Sequence, residues 1–129
     1  MFEDRILKYI SLISTDSNAE DFKDEYKNGR KYGKIVLGSN HLFIKNLFCT
    51  YYIGLDDLKY CFRRVMLVPA KRKSELRVES LVIADDDREL AVVQLPGRNA
   101  ALELFDELKK CAVNASFSCP QKFAAKGDA

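Results

Sequence analysis

Residues 50–65 read TYYIGLDDLKYCFRRV, and the middle of this stretch decides the fold. Aromatic and β-branched residues, which are typical of β-strands, stand at both ends, and the pair Asp56-Asp57 lies between them. Asp side chains hydrogen-bond nearby backbone amides and so stabilise turns, and Gly54 suits a bend. The stretch therefore predicts two strands that meet at a corner.

Similar short runs of strand-forming residues fill the chain from residue 34 to residue 95. The separators between them are short and rich in turn residues. Each strand is therefore predicted to pair antiparallel with the next, because parallel pairing needs long crossovers. The runs are KIVL (34–37), HLFIK (41–45), CTYYIG (49–54), KYCFRRVMLV (59–68), ELRVESLVIA (75–84) and ELAVVQL (89–95).

A helical pattern precedes this sheet. An amphipathic helix is predicted over residues 1–14, where apolar residues recur at helical spacing. These residues are Phe2, Ile6, Tyr9, Ile10 and Ile13. The polar connection that follows is predicted to contain one helical turn around Phe22 and Tyr26.

A second amphipathic helix is predicted for AALELFDELKKCA, residues 100–112, after the breaker Pro96-Gly97. Asn99 is its expected N-cap. Acidic residues precede basic ones along it, as the helix dipole favours. Its apolar stripe consists of Ala101, Leu104, Phe105, Leu108, Cys111 and Ala112. The remaining residues, 114–129, are predicted to form a flexible tail.

Three segments resemble the small bacterial pleckstrin-homology-like (PH-like) domains of unknown function: LGSNHLFIK (37–45), YYIGLDDLKYCFRRV (51–65) and ALELFDELKK (101–110). The resemblance covers residues 33–112. It implies a bent barrel of about six to seven antiparallel strands, closed by a C-terminal helix. Such a fold hosts many unrelated activities, so the resemblance implies architecture more than function.

Inositol-lipid recognition does not follow from this resemblance. PH domains that bind phosphoinositides carry a cluster of basic residues around their first hairpin, where this chain has only Lys34 and Lys45. They also usually place a tryptophan in the closing helix. This chain has no tryptophan, and Phe105 would take the core position.

The predicted fold class is α+β, with a mostly antiparallel PH-like barrel, a closing C-terminal helix and an extra N-terminal helix. A profilin-like α+β sandwich, with helices against the faces of the sheet, is the alternative. The predicted organisation is a helix and polar linker at 1–30, a PH-like domain at 31–113 and a flexible tail at 114–129.

Composition narrows the function classes. The chain has 129 residues and a formal net charge of +2, which gives no general attraction to nucleic acid. Its four cysteines form no C-x-x-C pair, and with the single His41 they do not resemble a zinc framework. Neither a signal peptide nor a membrane-spanning run is predicted. A cytoplasmic protein with reduced thiols and no cofactor is the expectation.

A catalytic interpretation would centre on Asp56, Asp57 and His41. Adjacent carboxylates in a strand point to opposite faces, so they converge poorly on one substrate or metal ion. The turn interpretation needs no further partner and is preferred. A single cleft that contained all three side chains would revive the hypothesis of an enzyme of unknown type.

Two groups of basic residues are candidate interaction sites. Arg63 and Arg64 point to opposite faces of their strand, so one of them needs a partner such as Asp57 or Glu79; the alternative is a site for an anionic ligand. Lys71, Arg72 and Lys73 form the main basic cluster, interpreted as a solvated loop or as a weak contact with anionic membrane.

An apolar outer face gives the last candidate surface. If the alternating set Ile35, Leu37, Leu42, Ile44, Tyr51 and Ile53 faces inward, then Val36, Phe43 and Tyr52 face outward. The N-terminal helix is predicted to cover this patch, with another subunit as the alternative. The predicted function is a non-catalytic interaction module that binds an unidentified protein or itself, with no small-molecule substrate indicated.

Overall fold

The computed structural model describes residues 9–13, 22–69 and 75–124 of the chain. The strands in these ranges are β1 (Tyr9–Ser11), β2 (Arg30–Tyr32), β3 (Ile35–Leu37), β4 (His41–Lys45), β5 (Thr50–Gly54), β6 (Tyr60–Pro69), β7 (Glu75–Ala84) and β8 (Glu89–Gln94). The helices are α1 (Phe22–Asn28), α2 (Arg98–Cys111) and the short α3 (Gln121–Ala124).

The strands form two sheets that do not close into a barrel. One sheet has the order β1-β5-β4-β3-β2 and the other the order β6-β7-β8. All pairs are antiparallel except β1 with β5. The α+β class and the mostly antiparallel pairing are therefore confirmed. All six predicted strands are present; β2, whose sequence Arg-Lys-Tyr is too polar to stand out, was missed.

The corner predicted at Asp56-Asp57 is confirmed. Leu55–Asp57 form a single 3₁₀ turn that takes the chain from β5 in the first sheet to β6 in the second. Leu55 and Leu58 are buried on either side of the two exposed aspartates. The turn is therefore fixed by its apolar flanks, while both carboxylates face solvent.

The core lies between the two sheets and α2. Leu104 and Leu108 of α2 are buried in one cluster with residues of both sheets, including Leu42 and Leu81. The alternating residues of β3, β4 and β5 that were predicted to face inward lie in this cluster, as predicted, with Tyr51 partly buried at its margin. The stripe of α2 is also confirmed apart from Cys111, which is exposed. The helix begins at Arg98 rather than after Asn99, because Gly97 occupies the N-cap.

The N-terminal helix prediction is wrong for the part of residues 1–14 that the structure describes. Tyr9–Ser11 form β1, parallel to β5, and the Leu12 N–H donates to the Tyr52 carbonyl at 3.0 Å. A short isolated helix is marginal in water, whereas pairing with β5 satisfies backbone groups along that edge. Residues 1–8 lie outside the described ranges.

Part of the segment predicted as a flexible tail at 114–129 contacts the second sheet. Ser116 pairs with the start of β6, where its carbonyl accepts from the Cys61 N–H at 2.9 Å. Phe123 of α3 is buried and stacks on Phe62, with ring centroids 6.3 Å apart. The apolar outer face of β6 thus gives this segment a docking surface that the sequence of the segment alone does not reveal.

Leu108→Ala should destabilise the fold by about 2–5 kcal/mol, because it opens a cavity where α2 meets both sheets. Leu108 is fully buried, whereas Leu102 on the same helix is 46% exposed. Leu102→Ala is the matched control and should change the unfolding free energy by about 0.5 kcal/mol or less. Equal losses for the two variants in denaturant melts would contradict this core.

Candidate functional site

An open groove lies between the two sheets on the side of β8. Its volume is about 450 Å³, within the range of about 300–1,000 Å³ typical of ligand sites. Apolar side chains of β4, β5 and β8 line it, including Ile44, Tyr51 and Val93. Lys34 and Lys45 also line it. The groove therefore combines an apolar floor with cationic groups.

One wall of the groove is the edge of β8. Five successive residues, Leu90 to Gln94, line it, and β8 pairs only with β7 in the described part of the chain. The Leu95 N–H donates to the Glu79 carbonyl at 2.7 Å. Since backbone groups alternate in direction along a strand, those of Val92 and Gln94 point away from β7. Within the described part of the chain, the groove therefore presents unpaired backbone donors and acceptors.

The two lysines stand together at one end of the groove. The Lys45 N–H donates to the Lys34 carbonyl at 2.7 Å, which brings the two strand ends together. Neither ammonium has a carboxylate partner within the described ranges, and no acidic residue lines the groove. An adjoining pocket of about 400 Å³ shares both lysines and reaches Leu47, which is 82% exposed.

Close backbone packing fixes this end of the groove. Gly33 has φ = 65°, and a Cβ there would lie 3.0 Å from the ring of Pro96, just beyond β8. Positive φ and close approach both favour glycine. The turn between β2 and β3 is thereby held against the end of β8, with Lys34 next to the contact.

Arg63 is held in an ion pair. Its Nε and Nη2 donate to the two carboxylate oxygens of Glu79 at 2.6 and 3.0 Å, and Arg77 lies 3.7 Å from the same carboxylate. The hydrogen bond from Arg63 lowers the pKa of Glu79. Of the two partners predicted for the arginines, Glu79 is thus the one that Arg63 contacts.

Arg64 has a partner on the opposite face of the sheet. Its Nη2 and Nη1 lie 2.5 and 3.3 Å from the carboxylate oxygens of Glu89, and its guanidinium stands 5.8 Å from the centre of the Phe62 ring. The two arginines therefore point to opposite faces, as predicted. Both hold carboxylates of this chain.

Within the described ranges, α1 covers the outward apolar patch, while residues 1–8 of the helix predicted to cover it lie outside those ranges. Val36, Phe43 and Tyr52 are buried, and Phe22 lies 4.4 Å from Tyr52 between ring centroids. Tyr26 meets Phe43 edge-on at 5.4 Å. The helical turn predicted around Phe22 and Tyr26 is thus confirmed, and in the described part of the chain it packs on this face.

His41 anchors α1 to the sheet. Oε1 of Glu25 lies 2.8 Å from its Nδ1, and Oε2 accepts from the backbone N–H groups of Asn40 and His41 at 2.6 and 2.7 Å. Gly38 leaves room for this carboxylate, since a Cβ there would meet it at 2.5 Å. Phe22 packs edge-on against the His41 ring at 4.7 Å.

The three residues of the catalytic interpretation do share a cleft. A polar depression of about 400 Å³ is lined by His41, Asp56 and Asp57, together with Cys111 at the end of α2. No hydrogen bond in the described ranges joins His41 to either aspartate or to the thiol, so a nucleophile–base contact is not formed. The described residues also contain no cluster of three or more His, Cys, Asp or Glu side chains placed to hold a metal ion.

Lys71, Arg72 and Lys73 lie outside the described residues. The strand ends on either side of them are described. There Leu67 is 58% exposed and Leu76 is 57% exposed. Apolar side chains therefore flank the connection that carries the basic cluster in sequence.

Comparison with known proteins gives no match to a family model, to a curated protein or to a solved structure. Within the described ranges, no helix is long and apolar enough to cross a membrane.

Glu79→Gln should cost about 1–3 kcal/mol at neutral pH, because it leaves Arg63 without a carboxylate. The Glu79 side chain is 2% exposed and that of Arg63 30%, which places the expected loss below that of a fully buried pair. The lowered pKa of Glu79 means that its contribution is present above the unfolded carboxyl value of about 4.3 and is lost as pH falls through the folded value.

Urea melts from neutral pH into the acid range check this expectation. The stabilities of wild type and Glu79→Gln should converge in acid, while the exposed control Glu103→Gln should follow the wild type throughout. A gap between wild type and Glu79→Gln that stays constant with pH would show that the ion pair is not its source.

Proposed function

We propose that the chain is a non-catalytic interaction module with a PH-like fold, and that it binds another protein. The order of the strands and of the helix that follows them supports the PH-like assignment. The antiparallel succession β2-β3-β4-β5 is followed by a second succession, β6-β7-β8, and then by α2. This order of strands and closing helix is the one that the sequence resemblance implies.

The groove beside β8 carries the proposal of a protein partner. An unpaired strand edge offers donors and acceptors at the repeat of an extended polypeptide, and peptide recognition by strand addition uses such an edge. Open sheet edges pair with other chains, and proteins usually protect them for that reason. An edge that stays exposed beside an apolar groove therefore favours a binding role. We therefore take this groove as the binding surface.

The contacts of His41 support the non-catalytic part of the proposal. Its Nδ1 lies within hydrogen-bond distance of Glu25, and its ring packs against Phe22. Because Glu25 and Phe22 belong to α1, both contacts hold this helix against the sheet. The aspartates of the shared cleft occupy the turn between β5 and β6. His41 therefore has a structural role, and the two aspartates lie in a turn that buried Leu55 and Leu58 fix.

We place the protein in the cytoplasm. Cys49, Cys61, Cys111 and Cys119 are all free thiols, and thiols persist in reducing compartments. Burial raises the pKa of Cys61 to about 12, so this thiol is an inert part of the core.

Weak binding to anionic membrane is the second candidate function. The basic cluster Lys71, Arg72 and Lys73 would contribute about 1 kcal/mol per residue near an anionic surface. Exposed Leu67 and Leu76 on the flanking strands favour this function, because they supply apolar anchors next to the charges.

Capture from native cell extract tests the principal proposal. The immobilised chain should retain a partner that Val92→Pro loses, since proline removes the free N–H on the groove side while leaving the pairing with β7. The control Val113→Ala, at an exposed position after α2, should retain it. Quantitative mass spectrometry of the three samples is the measurement, with circular dichroism to show that each variant is folded.

No protein that distinguishes wild type from Val92→Pro would contradict the protein-binding proposal. Salt-sensitive sedimentation of the wild type with phosphatidylserine vesicles, lost when Lys71, Arg72 and Lys73 are changed to glutamine, would favour the membrane function instead.

A further inference from the structure

The groove beside β8 has three properties that together specify an occupant. It has an unpaired strand edge, an apolar floor and two lysines without carboxylate partners in the described ranges. We propose that it takes an extended segment of a partner protein, which adds as a strand to β8 and places an acidic side chain opposite Lys34 and Lys45. This inference rests on the proposed protein-binding function and names the chemistry of its partner.

The strand edge determines the conformation of the segment. The outward backbone groups of Val92 and Gln94 belong to alternate residues, about 6.6–6.8 Å apart along the strand. Only an extended chain offers complementary groups at that repeat, whereas the backbone groups of a helix bond within the helix. The occupant therefore pairs with β8 as a strand.

The floor of the groove determines the pattern of side chains along the added segment. Ile44 of β4, Tyr51 of β5 and Leu12 after β1 all line it, and Leu12 and Tyr51 pack at the margin of the main core. Successive residues of an added strand alternate between this floor and solvent. Apolar side chains are therefore required at every second position of the segment.

The two lysines determine the charge of the added segment. Lys34 and Lys45 line both the groove and the adjoining pocket, and the contact between Gly33 and Pro96 places Lys34 beside the C-terminal end of β8. An acidic side chain that comes to this end gains two cationic neighbours, and no described carboxylate lines the groove to repel it. In an antiparallel arrangement it belongs to the first residues of the segment, and in a parallel one to the last.

Selection from a library of short random peptides tests the inference on the folded full-length chain. Enriched peptides should alternate apolar and polar residues and carry an acidic residue near one end. Their affinity, measured by fluorescence polarisation at low salt, should fall about tenfold or more in Val92→Pro and in the double variant Lys34→Glu/Lys45→Glu. The matched control Lys23→Glu/Lys109→Glu reverses two exposed charges elsewhere and should leave the affinity within about twofold.

Each other outcome overturns the inference. Failure to enrich any peptide does so, and so does an affinity that is insensitive to the lysine reversal or to Val92→Pro. If deletion of residues 125–129, which include Asp128, raises peptide affinity about tenfold, this chain's own end is the occupant.

Failure of the inference remains distinguishable from failure of the proposed function. A native partner that is lost in Val92→Pro, together with selected peptides that lack the acidic residue, would leave the function standing and refute the chemistry. Peptides that meet every expectation, in the absence of a native partner, would support the chemistry of the groove and refute the proposed function.

Discussion

The structure depends on the contact of one helix with two sheets. The apolar stripe of α2, with Leu104 and Leu108 at its centre, is buried in the same cluster as Leu42 of one sheet and Leu81 of the other. An apolar face of a sheet needs a second layer to bury it. Because α2 supplies that layer to both sheets at once, it holds them together without a closed ladder of strands between them.

The groove is a consequence of this arrangement. Without closure, strand edges remain, and proteins usually cover them. The edge of β5 is covered by β1, and the start of β6 is covered by the segment around Ser116. In the described part of the chain the edge of β8 has no such cover, and it lies along an apolar floor next to Lys34 and Lys45. Since β1, β2 and most of β6 also lie at sheet edges, the groove along β8 is what distinguishes its edge.

Local patterns in the sequence were enough to predict the six central strands, the corner at Asp56-Asp57 and the stripe of α2, because each depends on neighbouring residues. The error at the N-terminus and the alternatives that the sequence left open both concern long-range partners. Residues 9–11 have an apolar spacing that suits a helix, but the edge of β5 makes them a strand. Glu79 was one of two possible partners for Arg63, and only the pairing of β6 with β7 selects it. The groove could not be predicted, since it requires knowing which strand edges stay unpaired.

Hydrogen exchange along β8 tests most directly whether the edge of this strand is open. If the edge is open, the amides of Ala91 and Val93, which face β7, should exchange slowly, and those of Val92 and Gln94 should exchange rapidly. Amide-resolved exchange of the isolated chain in the native state therefore should alternate in rate from residue to residue. Uniformly slow exchange from Ala91 to Gln94 would show that another segment already pairs with this edge. That result would contradict an open edge on β8.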